Sequence, residues 1–274
     1  MDGFRKALEI AGYVPDGEAW HPLKGGRTNR LWRVGHRVVK CYADTVNPLF
    51  SNEPDAEWTA LAGLHHLGLA PTPLARDEHQ GTRYIIYSYR DGALWRAGPN
   101  QPAKLLRRVH DASFSGHLSD APDGSAEIVG QTKAILKLLR DEARARIAAR
   151  QPVGEIPPSG QRCLLHGDPV PANIITGTVP ILVDWQCPAK GDPVEDLCLF
   201  LSPAMQLAYR GRPLQADEAA QFIAAYGCPK TAARLAALAP WHHWRMAAYC
   251  AWKTECDPIY AEGLELELAA LSRS

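Results

Sequence analysis

The chain has 274 residues, and its 30 basic and 30 acidic side chains cancel to a formal charge of zero. That balance argues against the electropositive face that nucleic-acid binding needs and favours a small-molecule partner. With 46% hydrophobic residues it can bury a core of ordinary globular size, as one large domain or two intimate lobes. Its seven cysteines are odd in number, scattered and never spaced C-x-x-C, which argues against a disulfide framework and a zinc site. They read as small buried hydrophobes in a reducing compartment. The first twenty residues show no basic-then-apolar leader and no run approaches a membrane span, so the expected location is cytoplasmic.

In chain order, residues 2–12 read as a short helix, followed by a turn at Pro15-Asp16-Gly17. "RLWRV" and "RVVKC" flank Gly35-His36 and predict an antiparallel hairpin, with Gly35 at the first position of a type II′ turn. A helix is expected from about Pro54, with Trp58, Leu61, Leu64 and His65 along one stripe and a stop at Gly68. The β-branched and aromatic run Thr82 to Tyr89 predicts another strand. Beyond Asp91-Gly92 the character changes. Pro102 to Asp111 and Gln131 to Arg150 read as helices, the second turning Ile135, Leu138 and Leu139 to one side. Residues 151–160 form a Pro- and Gly-rich connector, "CLL", "NIIT" and "PILVDW" read as short strands, and the pattern is helical from Val194 onward.

The segment "HGDPVPAN", His166 to Asn173, sets an acid five residues before an amide on a loop between strand-like runs. Asp184 ends the apolar run Ile181-Leu182-Val183, so its carboxylate would emerge from a strand end into the same space, where one metal could bridge the pair. A single aspartate or asparagine on a loop usually caps a turn; three in this order and spacing call for another role. H-G-D-x-x-x-x-N followed by I-x-x-D-W resembles the catalytic and metal-binding loops of the aminoglycoside phosphotransferase and choline kinase superfamily, small-molecule relatives of the protein kinases. The resemblance implies an α+β, two-lobed protein-kinase-like fold: a small antiparallel-sheet nucleotide-binding lobe over residues 1–90 and a larger, mostly helical catalytic and substrate lobe over 91–274. It also implies ATP and Mg2+, with Asp168 as catalytic base or orienting acid and Asn173 and Asp184 as metal ligands. Asp184-Trp185-Gln186 in place of D-F-G makes a protein substrate less expected.

By the same resemblance, "LKGGRTNRLWRV" is the loop over the phosphates, with Gly25 and Gly26 allowing close approach and Thr28 or Asn29 adding donors. It is neither a Walker A nor a dinucleotide loop. Lys40 stands where the kinase V-A-I-K lysine stands, and Val38, on the same face of the strand, should line the adenine pocket. The glutamate that pairs with Lys40 is expected at Glu57, with Glu53 one turn earlier as the fallback. Backbone groups of Ser88, Tyr89 and Arg90 are the expected hinge against the adenine edge. His110 reads as structural, His166 as a brace for the catalytic loop, and Asp192 and Asp196 in "GDPVEDL" as its support.

The acceptor is expected to be a small hydroxyl-bearing molecule, with no nucleic acid and no membrane span. Trp241, Trp244, Ala248 and Trp252 fall near one helical face with Tyr249 beside it, and the aromatics could cradle a quaternary ammonium by cation–π attraction. That points to choline or ethanolamine. The acids Glu255, Asp257, Glu262, Glu265 and Glu267 keep an aminoglycoside or thiamine kinase-like reading open, and a catalytically silent nucleotide-binding module is the alternative outside enzymes.

Overall fold

The computed structural model describes residues 2–23 and 28–274. Helix α1 (Asp2–Ile10) is followed by β1 (Trp20–Pro22), β2 (Arg30–Val34) and β3 (Arg37–Cys41), then helix α2 (Pro54–Leu64), β4 (Pro73–His79) and β5 (Thr82–Ser88). The strands form one antiparallel sheet in the order β1-β2-β3-β5-β4, so β3 lies at its centre. Period-two alternation sends Val39 and Ile86 towards Leu8 of α1, and Val38, Ile85 and Tyr87 towards Leu61 and Leu64 of α2. Both faces are therefore covered, which is why β3 is buried from Val38 to Cys41. Val34 pairs with Arg37 around the expected Gly35-His36 turn; Gly35 has φ 57 and His36 stays at negative φ, as a type II′ turn requires.

Helix α2 has Pro54 in its first turn and continues into one 3-10 turn, His65–Leu67, closed by Gly68 at φ 66. Its buried stripe differs from the expected one. Glu57, Ala60, Leu61 and Leu64 face inward, while Trp58 is half-buried and His65 is exposed. The i, i+3, i+4, i+7 set therefore starts at the glutamate.

The rest of the chain carries β6 (Ala93–Leu94), α3 (Asn100–His110), α4 (Ser125–Leu136), α5 (Asp141–Ala148), β7 (Cys163–Leu165), β8 (Ile174–Thr176), β9 (Ile181–Leu182) and β10 (Ala189–Gly191), then helices α6 (Val194–Leu201), α7 (Pro203–Arg210), α8 (Ala216–Tyr226), α9 (Pro229–Lys253) and α10 (Ile259–Leu271). Strands β6-β8-β9 form one small sheet and β10-β7 another. The single helix expected over 131–150 is two helices. The chain turns extended at Arg140, and Asp141 and Glu142 open α5 with acids in its first turn, where the helix dipole favours them. Leu138 is consequently exposed, while Ile135 and Leu139 enter the core. Strands β1, β4, β6 and β10 had no legible signal: β1 and β4 are sheet edges, with little apolar alternation to mark them.

Candidate active site

The loop that follows β7 is shaped by what lies behind it. Gly167 has φ 77, and a Cβ there would stand 1.9 Å from the Cys187 carbonyl oxygen, so only glycine fits. Asp196, in the first turn of α6, accepts the backbone N–H groups of His166 (2.8 Å) and Gly167 (2.9 Å). His110 Nε2 lies 3.0 Å from the same carboxylate, and its Nδ1 lies 2.9 Å from the Tyr226 hydroxyl. Burial acts to raise the pKa of Asp196, but His110 and the two N–H donors outweigh it and hold the acid below its usual range. His166 Nε2 donates to the Val183 carbonyl (3.0 Å) and its Nδ1 accepts from Asp168 N (3.2 Å), the tautomer these two contacts require. Burial lowers its pKa, and its ring packs 4.4 Å from that of Trp185. His166 and Asp196 thus sit where the sequence reading put them, as supports. Asp192 turns instead to Arg234 and the start of α6, accepting Val194 N at 3.0 Å.

What this loop presents is Asp168, 8% exposed, with the Asn173 amide donating to its backbone oxygen (2.9 Å) and to Oδ2 (3.3 Å). Burial, reinforced by the Asp184 carboxylate, pushes the Asp168 carboxyl up to about 8. Asp184 follows β9 at φ 63, a left-handed conformation that aspartate tolerates at some cost and that is concentrated at functional sites. Lys40 of β3 reaches across to it and also to Glu57 Oε2 at 2.5 Å. Tyr42 donates its hydroxyl to the same Glu57 oxygen. Lys40 and Glu57 are fully buried. Burial alone would discharge the ammonium, yet the carboxylates of Asp184 and Glu57 prevail and raise its pKa. Glu53 is exposed at the N-cap of α2, so the pairing falls to Glu57, and the fallback is not used.

Two clefts meet at Asn173 and Asp184. One is an apolar slot under the sheet, lined by Leu23, Leu31, Val38, Tyr87, Leu94 and Val183 and bounded by Ser88, Tyr89 and Arg90. The hinge groups are not equivalent. Ser88 N–H bonds the Thr72 carbonyl (2.9 Å) and Tyr89 N–H the His36 carbonyl (2.8 Å), while the N–H of Arg90 has no partner among the described residues. Arg90 is therefore the hinge donor open to a base. The second cleft runs from Thr28 past Asp168 to Phe50, Met205, Tyr209, Tyr249, Lys253 and Tyr260.

Asn29 borders this second cleft, but its side chain is spent within the protein. Its amide donates to Asn52 (2.7 Å) and Gln186 (2.8 Å), and its oxygen accepts from Ala43 N (3.0 Å). It is a clasp between the strand-connecting loops and the segment after Asp184, which corrects the expectation of a phosphate donor. Gly25 and Gly26 lie outside the described residues.

The aromatic face also needs correcting. Trp241 and Trp244 are core residues, and Trp244 is fully buried with its indole N–H donating to the Ile147 carbonyl (2.8 Å). Trp252 packs against Tyr249, with ring centroids 5.7 Å apart, and does not line the cleft. Of the four expected side chains only Tyr249 does. Phe50, Met205, Tyr209, Tyr260 and Lys253 were not legible, because they come from separate elements with no shared period.

The donor set at the junction suits a hard divalent cation. Asn173 commits its amide nitrogen to Asp168 and keeps Oδ1 available, and Asp184 has a second carboxylate oxygen beyond the one facing Lys40. Among the described residues no group of three or more His, Cys, Asp or Glu could hold a metal. Asn173 and Asp184 could instead supply the one or two side-chain ligands that magnesium takes, phosphate and water completing its shell.

A sheet with a buried lysine–glutamate pair, set over a helical part with an acid–amide loop, is the arrangement of a phosphotransferase. The chain belongs to the phosphotransferase enzyme family, whose model it matches over residues 19–241. It is similar in structure to choline kinase LicA from Streptococcus pneumoniae (TM-score 0.68, 16% identity, 100% of both chains covered). A choline/ethanolamine kinase family protein from Mesorhizobium loti is also similar (TM-score 0.65, 17% identity, 100% of this chain and 99% of that one). So is an ADP-bound aminoglycoside phosphotransferase (TM-score 0.60, 12% identity, 98% of both chains). No curated protein sequence matches the chain.

Proposed function

We propose that the protein transfers the γ-phosphate of ATP to the hydroxyl of a small ammonium-bearing metabolite of the choline or ethanolamine kind. The observation that carries this reading is the position of Asp168, on the wall of the aromatic cleft and beside the junction that opens into the apolar slot. The base of ATP occupies the slot against Val38, with its edge on the Arg90 N–H, and Lys40 holds the phosphates while Glu57 orients Lys40. Similar structures were solved with AMP and with ADP, which supports a nucleotide here. Asn173 and Asp184 would hold magnesium. Bound there, the ion would neutralise charge on the β- and γ-phosphate oxygens. Asp168 accepts the acceptor's hydroxyl proton and aims its oxygen in line with the leaving group. The division into a nucleotide lobe and a catalytic lobe falls within this scheme at the hinge, near residue 90.

Aromatic rings suit an ammonium, each contributing about 0.5 to 2 kcal/mol, and Phe50, Tyr209, Tyr249 and Tyr260 stand in the same cleft as Asp168. A polycationic aminoglycoside fits less well. Glu255 and Glu265 are paired with Arg140 and Arg146, and Glu267 is buried against Ser202 and His243, leaving Asp168 and Asp184 as the acids in the cleft. A silent module is disfavoured because the polar groups of the scheme are all in place.

The test is a coupled ADP-release assay with ATP and Mg2+ against choline, ethanolamine, thiamine, homoserine and aminoglycosides. Asp168→Asn should lower kcat by about 10²- to 10⁴-fold while ATP binding persists. A variant that turns over like the native enzyme, or no stimulation by any acceptor, would refute the reading.

A further inference from the structure

Lys253 ends α9 one turn beyond Tyr249, on the same helix face, and both side chains line the cleft that holds Asp168. It is half-buried, and among the described residues no carboxylate lies within ion-pair distance of it; its ammonium sits 5.5 Å from the centroid of the Trp252 ring. The neighbouring acids are already engaged, with Glu255 on Arg140 at 3.3 Å and Glu265 on Arg146 at 2.7 Å. Lys40, by contrast, has two carboxylates of its own. An acceptor in this cleft would thus meet aromatic rings that attract an ammonium and, one helical turn away, a lysine with no ion-pair partner among the described residues that would attract a carboxylate.

We infer that the acceptor is a zwitterion: a small hydroxylated molecule whose ammonium lies against the rings of the cleft and whose carboxylate pairs with Lys253. This rests on the assignment of the aromatic cleft as the acceptor site and narrows the class of molecule it takes. Tyr249 and Lys253 side chains begin roughly 5 to 6 Å apart, the Cβ spacing of residues four apart on a helix. Both side chains therefore rise from one patch of the helix into one cleft, within reach of a single small molecule. The Tyr249 hydroxyl accepts from Asn47 Nδ2 (3.3 Å), and its ring meets Phe50 and Tyr260 edge-on, so the aromatic side of the site is held in place. Asp168, on the opposite role, is left for the hydroxyl.

The test compares acceptors that differ only by a carboxylate on the carbon bearing nitrogen: serine against ethanolamine, and N,N,N-trimethylserine against choline. Expected for the native protein is a kcat/KM at least tenfold higher for the carboxylated member of whichever pair is used. Lys253→Met should bring that ratio to within about twofold of one, Lys253→Arg should preserve it, and KM for ATP should stay within twofold in both. A native preference for the amino alcohols, or a ratio that survives Lys253→Met, overturns the inference and leaves the kinase reading standing. If none of the four raises ADP release above the rate with ATP alone, the assignment of the cleft to ammonium-bearing acceptors falls, and this inference falls with it.

Discussion

At Asp168 burial and the neighbouring Asp184 carboxylate act in the same direction, so the side chain a base needs ionised is the one the fold keeps protonated up to about pH 8. In an unfolded chain an aspartate releases its proton near pH 3.9. Between roughly pH 4 and pH 8 the native state therefore binds more protons than the unfolded state, and stability falls as pH rises through that window. Asp168→Asn cannot ionise. In buffer free of metal and nucleotide its melting temperature should exceed the native protein's by a margin that grows from about pH 4 and levels off above pH 8. Calorimetry across that range is the check, and a margin independent of pH would contradict the assignment. Gain of stability with loss of activity at one residue is the signature expected of a charge held for function. The left-handed backbone at Asp184, φ 63, belongs to the same picture, since its carboxylate meets Lys40 and lines the cleft that also holds Asp168.

Helix α9 shows how a single face can be misassigned from its spacing. Tryptophans at 241, 244 and 252 with Tyr249 look like one aromatic wall on a helical wheel, but a wheel does not say which side meets α4, α5 and α10. Trp244 goes entirely into that packing and anchors α5 through the Ile147 carbonyl. Trp244→Ala should accordingly cost roughly 3 to 5 kcal/mol of unfolding free energy, the range for a deleted buried aromatic. Urea denaturation would show it as a lowered midpoint, with KM for the acceptor unchanged in the protein that remains folded. A selective rise in that KM at native stability would restore Trp244 to the acceptor site. Helices α4 and α5 teach a related lesson: the apolar positions from Ile135 to Leu139 suggested one continuous helix, and the break shows only because Asp141 and Glu142 open a second one.

Across the whole molecule, the sheet and the segment carrying Asp184 are joined by side-chain amides. Gln186 Oε1 accepts from Asn29 157 positions away, Asn29 exchanges hydrogen bonds with Asn52, and Cys187 Sγ contacts the Ser51 carbonyl at 3.0 Å. Gln186→Leu removes the acceptor and strands a buried donor, a loss of about 1 to 3 kcal/mol. We expect KM for ATP to rise fivefold or more, and Gln186→Glu, which keeps an accepting oxygen, to retain near-native KM; equal defects in both variants would exclude the clasp. The D-x-x-x-x-N loop, Asp184 and the order Lys40 then Glu57 were legible in the sequence because catalytic groups on one loop or one strand end have their relative placement set by a few covalently linked residues. The clasp, the edge strands β1 and β4 and the acceptor wall were not. Phe50 comes from a connecting loop, Tyr209 from α7, Tyr249 and Lys253 from α9 and Tyr260 from α10, and no period along the chain relates them. The sequence by itself determined the chemistry, since phosphoryl transfer needs particular residue types at short spacings. Only the tertiary structure decided which aromatics line the cleft beside Asp168 and that Lys253 lines it with them, because burial is settled by how the helices pack.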